Sequence, residues 1–174
     1  MKKCCFFGHA RFSYENCRET IKYIVIDLIE HHGVTVFYSG GRGDFDSVCA
    51  RIVGEVRKDY PHIENLKFLS YIPTGRAAGH YLAPCYTGTV YLLEEKVIPK
   101  FAISRTNEKA IDICDFVVSG VCRSYGGAQQ AVKYAIRKRK TVIEILSAQE
   151  HANEILAAES LDHFPDKKIE SGKI

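Results

Sequence analysis

The chain has no apolar run longer than a strand, which removes the helical membrane-spanning classes at the outset. Its basic opening, Met1-Lys2-Lys3, leads into only four apolar residues before Gly8-His9, so no secretory signal is expected. Charge is nearly balanced. The 24 Lys+Arg and 21 Asp+Glu leave a formal +3, too little to argue for nucleic acid by bulk electrostatics. The dense basic run Arg137-Lys138-Arg139-Lys140 is expected to end a helix and face solvent. No CxxC pair occurs among the seven cysteines, which reads as reduced thiols in a cytoplasmic protein rather than a disulfide framework. Cys85 and His80 match no zinc spacing, so neither a metal nor a resident cofactor is expected.

The 174 residues, 46% of them hydrophobic, suffice for one domain with a sizeable core. That domain is expected over 1–161, followed by a polar tail over 162–174. Short strands are expected at Lys3–Phe7, Val34–Ser39, Leu66–Tyr71, Asp115–Val121 and Thr141–Leu146. Helical spacing covers about Tyr14–His32, a second helix ending before Tyr60-Pro61, Phe101–Cys114, a helix opened by Gly126-Gly127, and Ala148–Ser160. Ile72–Pro99 is broken by prolines and glycines and reads as a lid or a long crossover. Strands alternating with helices, the strands nearly continuously apolar, indicate a parallel sheet covered on both faces. The expected fold is α/β, a Rossmann-like three-layer α/β/α sandwich with a mainly parallel sheet of about five strands.

The most informative stretch is VTVFYSGGRGDFDSVCARIV, Val34 to Val53: strand, glycine-rich turn, helix. Such a junction presents unpaired N–H groups and the positive end of a helix dipole, which favour an anion. Gly41 and Gly43 supply two glycines of GxGxxG, but Asp46 stands at the third, and no Lys-Ser or Lys-Thr pair follows. Neither a GxGxxG dinucleotide site nor a Walker loop is therefore expected. As a plain turn, the same stretch would use Asp44 as N-cap and Asp46 in the first helical turn.

In an open parallel sheet, ligands bind outside the carboxyl ends of the strands. That rule gathers Gly8, His9 and Arg11, then Ser39, Gly40, Gly41, Arg42, Gly43 and Asp46, then Ser70 and Tyr71, then Arg123, Ser124, Gly126 and Gly127. The last group repeats the logic of strand, arginine and paired glycines, and a guanidinium grips phosphate with paired hydrogen bonds. Asp44 and Asp46 would repel a phosphate, so they are expected to meet a sugar hydroxyl or an exposed edge. His9 is a candidate proton donor or a packing residue. Arg105 and Asn107 can reach the same mouth, or Thr106 or Asn107 can cap a helix.

Together CCFFGHA, FYSGGRGDFDSVCARIV, YPHIENLKFLSYIP, RTNEKAIDICDFVVSGVCRSYGGAQQAVKYA and KRKTVIEI resemble the small single-domain SLOG proteins, the YpsA-like branch found in bacteria and phages. The likeness runs from Cys4 to about Ile145. Wider relatives are the LOG phosphoribohydrolases and the DNA-processing protein A domain. The resemblance implies a nucleotide or nucleotide-derivative ligand, with Gly40, Gly41 and Gly43 as a first glycine loop, Asp46 as its acidic residue and Gly126-Gly127 as a second phosphate loop. It also implies a homodimer.

LOG enzymes carry PGGxGTxxE, with a catalytic glutamate. This chain reads RSYGGAQQA, with Gln130 at the glutamate's position and Ala128 at the threonine's. Glutamine supplies neither a base nor a charge for an oxocarbenium-like centre. The expected function is thus a sensor or regulatory protein that binds a nucleotide, Gln130 lying in the site. The alternative is an N-glycosidase or deoxyribosyltransferase-like enzyme, with Asp46 as catalytic carboxylate and His9 assisting.

Overall fold

A computed structural model describes residues 1–11, 15–72, 82–93 and 97–145. Strand β1 (Lys2–Gly8) leads through a 3-10 turn (Glu15–Cys17) into helix α1 (Arg18–Glu30). Strand β2 (Val34–Ser39), helix α2 (Asp44–Val56), strand β3 (Glu64–Leu69) and strand β4 (Gly88–Tyr91) follow. Helix α3 (Pro99–Ile113), strand β5 (Phe116–Gly120), helix α4 (Gly127–Arg137) and strand β6 (Thr141–Glu144) complete the described order. The closing helix expected at Ala148–Ser160 and the tail over 162–174 lie outside the described residues.

All six strands are parallel, in the order β4-β3-β2-β1-β5-β6. The expected Rossmann-like α/β fold is therefore observed, with β4 as an added edge strand inside the stretch read as irregular. β1 alternates side chains across the sheet, and both faces are buried. Cys4 and Phe6 join Ile21, Leu28, Val48 and Ile52 of α1 and α2 in one core. Cys5 and Phe7 join Ala110, Ile111 and Val132 of α3 and α4 in the other. Each fully buried large side chain contributes about 1.5–3 kcal/mol, which makes the six-strand sheet the rigid base for its loops.

Helix boundaries differ from expectation in two places, for local reasons. Gly43, not Asp44, is the N-cap of α2, in fully extended backbone; Asp44 is the first helical residue. Helix α3 starts at Pro99, because proline at the first helical position loses no intrahelical hydrogen bond. Thr106 and Asn107 are consequently mid-helix, and the buried Thr106 hydroxyl donates to the Ala102 carbonyl at 2.7 Å rather than capping. The basic run does more than face solvent. Lys140 Nζ donates to the carbonyls of Asp112 (2.9 Å) and Cys114 (2.7 Å), closing the C-terminus of α3.

Candidate functional site

Chain order and sheet order diverge at β1. Strands β2, β3 and β4 extend to one side of it, while β5 and β6 lie on the other. The carboxyl ends of β1 and β5 therefore flank the switch point, where loops on the two sides splay and leave a crevice. The loops arriving there begin at His9, Gly40 and Val121.

The glycines of the first loop are accounted for by protein neighbours. A Cβ at Gly8 would stand 2.3 Å from the Phe45 ring, and one at Gly43 2.4 Å from the Ala10 backbone. At Gly41, where φ is +62°, it would meet the Lys67 stem at 2.5 Å. Asp46 holds the loop from below: its Oδ2 accepts the Arg42 backbone N–H at 3.0 Å. Although Asp46 as a residue is only half-buried, its carboxyl lies inside the loop, and burial pushes its pKa up to about 6. The Gly41 and Arg42 N–H groups and the nearby Arg42 and Lys67 charges pull it part of the way back. Helix α2 thus carries its own anions, Asp44 and Asp46, in its first turn.

The second loop is the reverse case. Gly126, the N-cap of α4, has φ +99°, which only glycine adopts readily, and nothing lies within 4 Å of a Cβ built at Gly126 or Gly127. No acidic residue occupies the first turn of α4. Among the described residues no protein group accepts from the N–H groups of Gly127, Ala128 or Gln129. Open space, free donors and the positive end of a helix coincide there.

His9 shapes the start of that loop. Its Nε2 accepts the backbone N–H groups of both Cys122 and Arg123, each at 3.1 Å. Two donors at one ring nitrogen require the neutral imidazole, and burial, with the Arg123 charge, lowers its pKa. Nε2 is engaged, so His9 acts here as a strut.

Three connected spaces open along the crevice. The central chamber, about 150 Å³, is bounded by Gly8, Gly40, Arg42, Gly43 and Asp46 on one side and by Asn107, Gly127 and Ala128 on the other. Gly41 and Tyr71 border an adjoining space of about 200 Å³ at the end of β3. Gln130 faces a third, a groove of about 520 Å³ between α3 and α4. Arg123, Ser124 and Gly126 are exposed on the loop. Ser39 is fully buried, its Oγ 2.9 Å from the Tyr86 hydroxyl. Arg105 is turned away and pairs with Glu108 at 2.9 Å. Sequence reasoning missed the aromatic wall, Phe7 and Phe68, whose only signal was their place one residue before the ends of β1 and β3.

Solved structures share this architecture at low identity. DNA processing protein A from Streptococcus pneumoniae matches with a TM-score of 0.61 at 12% identity, over 95% of this chain and 62% of that one. DNA processing protein A from Helicobacter pylori, described for its single-stranded DNA binding mode, gives 0.57 at 15%, over 82% and 64%. The molybdenum cofactor binding protein of Rippkaea orientalis gives 0.55 at 16%, over 87% and 83%. The chain spans less than two thirds of either DNA processing protein. No family model and no curated protein matches the sequence. The class defined by sheet order and crevice is a Rossmann-like α/β protein, and the likeness to these solved structures holds at the level of the fold.

Proposed function

We propose that the protein binds a nucleotide or nucleotide-derived small molecule in the central crevice and acts as a sensor or regulatory domain. The observation that carries this is the start of α4, where unbonded N–H groups meet unfilled space at Gly127, with no acidic side chain to take the ligand's place. Arg42, from the facing loop, and Asn107, from α3, add a cation and an amide to the same chamber. Neighbours in fold named for binding the molybdenum cofactor or single-stranded DNA support a ligand-binding role in general terms. In this reading the α2 loop holds sugar or base, and the α4 loop holds phosphate.

Isothermal titration with nucleoside mono- and diphosphates, cyclic nucleotides and ADP-ribose tests it. Saturable heat from at least one is expected, and silence from all at millimolar concentration sinks it. Labelled single-stranded DNA serves as a further arm. The near-neutral charge leads us to expect no retention at moderate salt. We also propose a homodimer, for which the exposed Ile98 and Phe101 offer apolar surface. Light scattering that gives monomer mass at micromolar concentration rejects it.

A second reading has one observation in its favour. Asp46 presents a carboxyl with a raised pKa to the wall of a chamber, as a working acid or base would. It predicts release of free base from a nucleotide, lost in Asp46→Asn. In this reading His9 assists from the neighbouring loop, its Nε2 held by the Cys122 and Arg123 N–H groups.

A further inference from the structure

We infer that the space at the carboxyl end of β3 is a second anion subsite, built from Lys67, Arg42 and Ser70. The inference rests on the proposed reading of the crevice as a nucleotide site, and it names the ligand more closely. That ligand carries two anionic groups set apart by its sugar, as a nucleoside 3′,5′-bisphosphate does.

Ser70 is the first sign. It is 3% exposed, its Oγ has no hydrogen-bond partner, and it lines the 200 Å³ space. A buried hydroxyl left unmet is costly, and such groups in native proteins commonly await a water or a ligand. Lys67 is the second. It sits half-buried on β3, borders the same space, and among the described residues makes no ion pair. Its Nζ lies over the Tyr86 ring, 6.0 Å from the centroid, a contact that holds the ammonium without neutralising it.

The loop is shaped around this lysine. Gly41 adopts φ +62° and leaves the gap through which the Lys67 stem passes. Arg42 is held above the Tyr71 ring, 5.7 Å from its centroid, and the Tyr71 hydroxyl is itself anchored on the Pro99 carbonyl at 2.9 Å. Asp46 is close to both cations, but one carboxylate does not balance two positive charges, and its Oδ2 already accepts the Arg42 N–H. The outcome is a pocket with excess positive charge and a donor hydroxyl, the chemistry that suits phosphate.

Position gives the second half of the inference. Gly40, Arg42 and Phe68 border both this space and the central chamber, and Gly127 lies on that chamber's far wall. A chamber of 150 Å³ has room for about one ring. Anion sites therefore flank a ring-sized middle. Adjacent phosphates, as in a nucleoside 5′-diphosphate, would crowd one end. Phosphates on opposite sides of a sugar would reach both.

The test is calorimetric titration of the full chain with 5′-monophosphates, 5′-diphosphates and 3′,5′-bisphosphates of adenosine and guanosine at one ionic strength. The bisphosphate of the preferred base is expected to bind about tenfold tighter than its mono- and diphosphate. Lys67→Met and Ser70→Ala should each erase most of that ratio. Ser70→Ala also separates ligand loss from damage, since removing an unmet hydroxyl should leave the melting temperature unchanged or raised. A bisphosphate no tighter than the monophosphate, or a ratio that survives in both variants, overturns the subsite and leaves the nucleotide reading standing. Binding by none of the six compounds overturns the subsite, and silence that extends to cyclic nucleotides and ADP-ribose overturns the nucleotide reading as well.

Discussion

The Asp46 carboxylate accepts the backbone N–H of Arg42 at 3.0 Å, so helix α2 clamps the glycine turn that precedes it. The clamp is bought with a buried charge. Burial raises the Asp46 pKa from 3.8 to about 6, so between those values the folded chain holds a proton that the unfolded chain has released. Folding stability therefore falls as pH rises from about 4 to 6, by up to about 2–3 kcal/mol for this group. Asn at this position keeps a carbonyl oxygen for the Arg42 N–H and has no charge to bury. Asp46→Asn is expected to be the more stable protein at pH 7.5, with a flatter stability profile between pH 4 and 6. Urea denaturation at several pH values measures both, and a variant less stable than the parent at pH 7.5 contradicts the account.

His9 gives the opposite slope. Its folded pKa lies below the ordinary 6.5, so on acidification the unfolded chain takes up the proton first and the native state loses ground. The contribution is full above 6.5 and fades as pH falls below it. Protonation also removes the acceptor for the Cys122 and Arg123 N–H groups, so the loop before α4 should loosen together with ligand affinity. His9→Ala orphans two donors, at a cost of about 1–3 kcal/mol. Amide exchange at Cys122 and Arg123 reads the local effect. Unchanged protection there in the variant argues against the strut.

Lys140 supplies a prediction that tests the fold alone. Its ammonium closes two carbonyls at the end of α3, so Lys140→Met should cost about 1–2 kcal/mol. In the neighbouring exposed Arg139 φ is +56°, so Arg139→Gly should be neutral or stabilising. Equal losses for the two would show that the basic run acts only through its summed charge.

What the sequence disclosed follows the range of the interactions involved. The β2–α2 junction was legible because β-branched strand residues, glycines and an apolar helix face all lie within Val34–Val53. Strand β4 was not: Gly88–Tyr91 is four residues long, half exposed and paired on one side only, so it lacks the apolar pattern of its neighbours. Pro99 read as the end of the irregular stretch rather than the start of α3, because a proline ends one element or starts the next and only the backbone that follows decides which. The two glycine loops looked equivalent in sequence. Their difference lies in partners distant along the chain, Phe45 against Gly8, Ala10 against Gly43 and Lys67 against Gly41, which spacing cannot reveal.

That difference makes the glycines the sharpest probe of the site. Gly8→Ala drives a methyl group into the Phe45 ring and should cost about 1–3 kcal/mol or more through overpacking. Gly126→Ala meets no neighbour but must hold φ +99°, a strain of about 1–2 kcal/mol. Gly127→Ala meets neither obstacle: the space is open and the backbone is ordinary helix, so stability should hold or rise by up to about 1 kcal/mol. Its methyl group nonetheless enters the chamber at the place where the ligand's phosphate is proposed to sit. Denaturation paired with calorimetric titration is expected to show Gly127→Ala as the one variant of the three that keeps full stability and loses about tenfold in affinity. A Gly127→Ala protein that folds and binds as the parent does would move the phosphate away from α4.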